Sequence, residues 1–138
     1  ILQISNINIP MLVSKELNLD IDLFKNGEIA TLFKLNCEWL NKLIKVKDIK
    51  SLENVIKIVP VSIKAELEKL LSKAKEVDYG NIIIAPLYYG ALRYYDGIYY
   101  RVINDNLTLC NGGVYSSEGI SSLGFALYTD NLLKILED

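Results

Sequence analysis

The reading of this chain turns on residues 94–115: Tyr94-Tyr95-Asp96-Gly97-Ile98-Tyr99-Tyr100-Arg101-Val102-Ile103, then Asn104-Asp105-Asn106, then Leu107-Thr108-Leu109-Cys110-Asn111-Gly112-Gly113-Val114-Tyr115. Two runs rich in aromatic and β-branched residues flank three residues of turn chemistry, which is the pattern of an antiparallel hairpin. Working outward, Ile82, Ile83 and Ile84, followed by Pro86, read as a short buried strand within 81–85. Residues 2–9, stopped by Pro10, read as another strand, whose alternation slips a register around Asn6. Between these strands the apolar positions recur at helical spacing from Met11 to about Lys75, as in Leu67, Leu70 and Leu71. Breaks fall at 18–22, Asn26-Gly27, 45–51 and Pro60, and Ser51-Leu52-Glu53-Asn54 offers a helix start. Past the hairpin, residues 123–136 return to the helical period. The expectation is an α+β domain in which strands 2–9, 81–85, 94–103 and 107–114 form one largely antiparallel sheet. A helical insertion spans about 11–77, and a helix over 123–136 packs across one face.

With 138 residues, 51% of them hydrophobic, the chain has single-domain length and enough apolar material for one core. Fifteen Lys and Arg against 17 Asp and Glu give a formal charge of −2, so nothing pulls the chain toward phosphate backbones and nucleic acid is not an expected partner. There is no histidine, which removes imidazole bases and His-ligated metal sites, and the two cysteines, Cys37 and Cys110, are too few for a thiolate cage. No metal and no cofactor is expected. The cysteines read as a reduced pair, and no run has the length of a membrane span or the layout of a signal peptide. The expected location is the cytoplasm, with no membrane partner. The chain opens on Ile1 and runs at once into a strand-like pattern, as the front of a longer protein cut away would leave it.

Six of the nine tyrosines form the pairs Tyr88-Tyr89, Tyr94-Tyr95 and Tyr99-Tyr100. Neighbours in a strand point to opposite faces, so each pair puts one ring on each side of the sheet, where it serves either packing or a polar-tipped pocket. Asn111-Gly112-Gly113 permits close backbone approach, to a ligand or to another segment. Glu118 and Asp130 have no partner acid in sequence, and the Lys-rich helices are interleaved with Glu as solvated faces are.

Taken in order, three segments resemble the C-terminal half of a class II aminoacyl-tRNA synthetase core of the histidyl type. Arg93-Tyr94-Tyr95-Asp96-Gly97-Ile98-Tyr99-Tyr100 is similar to the R-G-L-D-Y-Y-T-G-x-x-F segment that lines the family's histidine pocket. Asn111-Gly112-Gly113-Val114-Tyr115-Ser116 is similar to its S-G-G-R-Y-D strand, and Gly124-Phe125-Ala126-Leu127-Tyr128-Thr129-Asp130-Asn131-Leu132-Leu133 to its motif 3, G-F-A-x-G-x-D-R-L-L. The opening Leu2-Gln3-Ile4-Ser5-Asn6-Ile7-Asn8-Ile9 resembles the L-x-I-G-H-V-G-I strand before the helical insertion. The resemblance implies an antiparallel sheet of the synthetase type, present here as a partial core, and a vestigial ligand pocket at Tyr94, Tyr95, Gly112 and Gly113.

The departures bear on chemistry. Aligned on the tyrosine pair, the synthetase's substrate-activating Arg falls on Gly90, its Asp on Arg93, the Arg of G-G-R-Y-D on Val114 with the final Asp on Ser116, and motif 3's ATP-binding Arg on Asn131. Adenylate formation needs placed guanidinium groups against a triphosphate, which Gly, Val and Asn cannot supply. The resemblance therefore implies no catalytic residues, and it points to the branch that keeps the fold without this chemistry: the regulatory subunits of ATP phosphoribosyltransferase, which pair with a short-form catalytic subunit in the first step of histidine biosynthesis. A degenerate or specialised synthetase-like enzyme, relying on Arg93, Arg101 or a cation from elsewhere, and a purely structural paralogue are the alternatives. Lacking the upstream motifs that would cover part of the sheet, the piece is also expected to form homo-oligomers.

Overall fold

Strand β1, Leu2–Asn6, alternates Leu2, Ile4 and Asn6 on one side with Gln3 and Ser5 on the other, and this alternation orients the whole sheet. The computed structural model describes residues 1–77, 80–89, 95–105, 107–117 and 120–137, with the backbone alone at 95–96, 114–117, 120–127 and 137. Its five-stranded sheet adds β2 (Ile82–Ile84), β3 (Tyr95–Asn104), β4 (Leu107–Ser117) and β5 (Ile120–Leu127) in the order β2-β1-β3-β4-β5. β1 runs parallel to β2, with Leu2 opposite Ile82 and Ile4 opposite Ile84, and the other three pairings are antiparallel. A parallel pair requires a long crossover, and the helices between β1 and β2 supply it.

These helices are α1 (Asn8–Leu17), α2 (Asp22–Lys25), α3 (Ile29–Phe33), α4 (Glu38–Ile44), α5 (Ile49–Ile56) and α6 (Val61–Glu76). α6 carries Ile63, Leu67, Leu70 and Ala74 as one buried stripe at helical spacing, begins after Pro60, and packs on α1, α5 and β1. Ile4 and Ile84 join Ile9, Val13, Leu40, Leu43 and Leu52 in a single core between this block and the β1–β2 side of the sheet. The last helix, α7 (Thr129–Glu137), packs on β4.

Three expectations need correction. The first strand ends at Asn6, three residues early, because the Asn6 Oδ1 accepts the Asn8 N–H at 3.0 Å and turns the chain into α1. Pro10 is then the third residue of that helix, where an N–H would have no helical acceptor to lose. Residues 123–127 are strand rather than helix: β5 pairs with β4 from Cys110–Leu127 to Ser117–Ile120, so the ladder with β4 overrides the helical spacing of the leucines, and α7 begins only at Thr129. α5 starts before Ser51, since the Asp48 carboxylate accepts the Ser51 N–H and the Asp48 N–H donates in return to the Ser51 hydroxyl. The breaks at 18–22 and at Asn26-Gly27 are seen, with Asn18 (φ 54°) and Gly27 (φ 62°) in the left-handed region that closes a helix or turn. Asp105 (φ 52°) turns the β3–β4 hairpin.

One polar tie holds the sheet to the block. Asn6 is fully buried, and its Nδ2 donates to the Glu66 carboxylate at 2.9 Å and to the Glu66 carbonyl at 3.2 Å. Partial burial pushes the Glu66 carboxyl up, but the hydrogen bonds from Asn6 and Lys69, with the Lys69 charge, outweigh it and hold the group below the usual glutamate range. A carboxyl held low in the folded state contributes stability above its unfolded pKa of about 4.3, and this is lost as pH falls through the lower folded value. Glu66→Gln should therefore flatten the acid limb of a stability-against-pH curve below about pH 4.5, followed by urea melts. Asn6→Ala should cost roughly 2–3 kcal/mol at neutral pH, and Leu67→Ala roughly 2–5 kcal/mol. Leu136→Ala, at a side chain 80% exposed, serves as the control and should change stability little.

Candidate functional site

The sheet face turned away from the helical block carries polar side chains in register. Gln3 lies opposite Arg101, and Arg101 opposite Asn111; in the neighbouring row Ser5 lies opposite Tyr99, Tyr99 opposite Gly113, and Gly113 opposite Gly124. Period-two geometry puts all of these on one face. The first row is a polar ladder, and the second ends in two glycines, a floor of bare backbone beside the Tyr99 ring.

The segment after β2 closes over one end of this face. The Tyr99 hydroxyl donates to the Tyr88 carbonyl at 2.9 Å, the two rings meet at 5.9 Å, and Ile7 packs with them. The Arg101 guanidinium stacks on the Tyr88 ring at 4.0 Å from its centre, and its Nη2 donates to the Gln3 Oε1 at 3.0 Å. The Gln3 Nε2 donates onward to the Ser5 hydroxyl at 3.3 Å. At the other end the Asn111 Nδ2 donates to the Tyr128 hydroxyl at 3.1 Å. Arg101 Nε and Asn111 Oδ1, one donor and one acceptor, are buried without a protein partner among the described residues. Their complementary demands suit a bridging water or a ligand group that both accepts and donates.

The residues singled out from sequence are distributed as follows. Gly113 lies on this face opposite Tyr99, whereas Gly112 lies on the helix side opposite Tyr100 and Phe125. Tyr95 stands in β3 opposite Tyr115, with its side chain outside the described residues, where Tyr94, Gly90 and Arg93 also fall. Val114 stands in β4 opposite Leu123. Asn131, which the sequence resemblance sets against motif 3's arginine, donates its Nδ2 to the Thr108 carbonyl at 2.8 Å and ties α7 to β4. Gln3, Ser5 and Tyr128 were not anticipated; the polar alternation of Gln3 and Ser5 within an apolar strand was the available signal. Burial pushes the Cys110 thiol up from its ordinary value, the opposite of what activates a cysteine. Both cysteines are free, and among the described residues no cluster of acids or cysteines could hold a metal ion. No helix among them is long and apolar enough to cross a membrane.

The stack of Arg101 on Tyr88 should be structurally expensive to disturb. Arg101→Met keeps the stem but strands Gln3, and is expected to cost about 1–3 kcal/mol in urea melts. Tyr88→Leu should cost a similar amount, and the double variant should cost less than the sum. Additive losses would show that the stack contributes nothing.

No protein-family model matches the chain. It is 37% identical over 134 residues to the ATP phosphoribosyltransferase regulatory subunit of Wolinella succinogenes, covering 97% of this chain and 46% of that one. To the regulatory subunit of Helicobacter hepaticus it is 36% identical over 135 residues, covering 98% of this chain and 48% of that one. The chain thus spans about half the length of these relatives. Among solved structures, an ATP phosphoribosyltransferase regulatory subunit/histidyl-tRNA synthetase from Bacillus halodurans superposes with a TM-score of 0.72 at 15% identity, over 98% of this chain and 44% of that one. The histidyl-tRNA synthetase of Nostoc sp. PCC 7120 does so with a TM-score of 0.68 at 18% identity, over 99% of this chain and 42% of that one. The sheet and its helical block therefore have the class II histidyl-tRNA synthetase-like fold, and the chain is a homologue of the ATP phosphoribosyltransferase regulatory subunits.

Proposed function

We propose that this chain is part of a non-catalytic regulatory subunit that acts with a short-form ATP phosphoribosyltransferase catalytic subunit in the first step of histidine biosynthesis. The observation that carries this reading is the use made of Arg101. The sequence has two arginines, and the one on the described polar face is spent on the Tyr88 ring and the Gln3 amide. An adenylate-forming face needs guanidinium groups held free for phosphate. The resemblance puts Gly90, Val114 and Asn131 where such groups would stand, and Asn131 is engaged with the β4 backbone. Identity to two regulatory subunits over nearly the whole chain supports the same reading.

The glycine floor and the tyrosines beside it are then a ligand-sensing face inherited without the catalytic cations, with Gly113 on the floor and Tyr94 and Tyr95 proposed to line it, while Gly112, one step along β4, faces the helices and drops out of the set. Self-association belongs to the same reading, since α7 leaves Leu133 54% and Leu136 80% exposed. The test is reconstitution: the full-length protein mixed with a short-form catalytic subunit should form a complex on gel filtration and give histidine-sensitive phosphoribosyl transfer. Absence of both complex and stimulation overturns the assignment. Histidine-dependent pyrophosphate exchange by the full-length protein alone would instead make it a synthetase-like enzyme.

A further inference from the structure

A concavity lies away from the polar face, where α2, α3 and α4 meet the segment after β2. It encloses about 410 Å³, within the range of small-molecule sites, and Phe24, Ile29, Leu32, Leu43 and Leu87 give it apolar walls. Among the described lining residues the charged side chain is Lys25, only 25% exposed. Among the described residues its Nζ has one loose ion pair, 3.6 Å to Asp22 on the same short helix, and Asp22 is itself 61% exposed. The Tyr89 ring, 5.7 Å away, adds a weak attraction. A solvated carboxylate at that distance compensates little of the cost of covering an ammonium, so the cleft presents an under-neutralised cation at the edge of an apolar space.

We propose that this cleft binds a small apolar carboxylate, its hydrocarbon part against Phe24 and Leu32 and its carboxylate on Lys25, and that occupancy is felt at Arg101 through Tyr88. The ligand class follows from complementarity. A neutral apolar molecule would fill the walls but leave the ammonium as it is, whereas a carboxylate adds a charge-assisted hydrogen bond. Tyr88 and Tyr89 both line the cleft, and Tyr88 also carries the Arg101 guanidinium on its ring and the Tyr99 hydroxyl on its carbonyl. A ligand that shifts the Tyr88–Tyr89 wall therefore moves the platform on which Arg101 rests. This site is independent of the regulatory reading, and the failure of either leaves the other standing.

The test is calorimetric titration of the intact protein with 3-phenylpropionate, and with 3-phenylpropanol as its uncharged match. The carboxylate should bind at least tenfold more tightly than the alcohol. Lys25→Met, which keeps the stem, should bring the carboxylate to the alcohol's affinity and leave the alcohol unchanged. Leu32→Trp, which fills the cleft, should abolish both, and Ile29→Trp at the 50% exposed rim serves should the first fail to fold. In nitrogen-15 spectra the Arg101 Nε–H resonance should shift on saturation in the unmodified protein. Equal affinities for the two probes, a carboxylate preference that survives Lys25→Met, or no binding at millimolar concentration would overturn the site. An unmoved Arg101 resonance at saturation would overturn the coupling.

Discussion

The period-two alternation of β1 is the constraint on which the rest of the molecule depends. This strand of five residues is hydrogen-bonded on both edges, in parallel to β2 and antiparallel to β3. Leu2 and Ile4 face the helical block while Gln3 and Ser5 face the polar rows, so a slip of one residue would drive an amide and a hydroxyl into the core and strip the Arg101 head of its acceptor. Asn6 locks the register. It is the point where strand becomes helix, and its buried amide reaches across 60 positions of sequence to Glu66 in α6. A polar group buried this completely tolerates one arrangement, which makes it a specifier of register more than a source of stability.

How much of this was legible follows from the range of the forces involved. The helical block was readable because the stripe of Ile63, Leu67, Leu70 and Ala74 repeats at helical spacing within one segment. The hairpin was readable from local turn chemistry, and Asp105 does take the left-handed conformation. Residues 123–127 were misread because their leucine and phenylalanine spacing suits a helix as well as a strand, and only the partner ladder of β4, distant in what a local pattern can see, decides between them. The first strand's end was marked in the sequence by the slipped alternation at Asn6. The cause, a side-chain hydrogen bond to the Asn8 N–H, is not a periodicity and leaves no periodic trace.

The candidate site was legible only in part, for a related reason. Glycines and tyrosines advertise themselves by type, but which face they occupy depends on register, and a single step along β4 separates Gly113 on the polar face from Gly112 on the helix side. Gln3 and Asn111 become site residues only because three strands line them up with Arg101. The pairing of a cation with an aromatic platform also cannot be read locally, since Tyr88 and Arg101 belong to different segments joined by the fold.

The segment from Ala85 to Tyr89 is where the two halves of the molecule meet. It begins anchored to β1, with the Ala85 N–H donating to the Ile4 carbonyl at 2.9 Å. Within four residues it lines the apolar cleft of the helical block and roofs one end of the polar rows. Because the Tyr88 backbone, ring and neighbour serve both sides at once, neither side can repack alone. A change in the helical block that moves Tyr88 must either carry Arg101 with it or break a stack and leave a guanidinium half-desolvated, and the second outcome is the costlier one. Arg101, stacked on Tyr88 and bonded to Gln3, thus acts as a mechanical link, and among the described residues it joins the polar face of the sheet to the segment that lines the helical block.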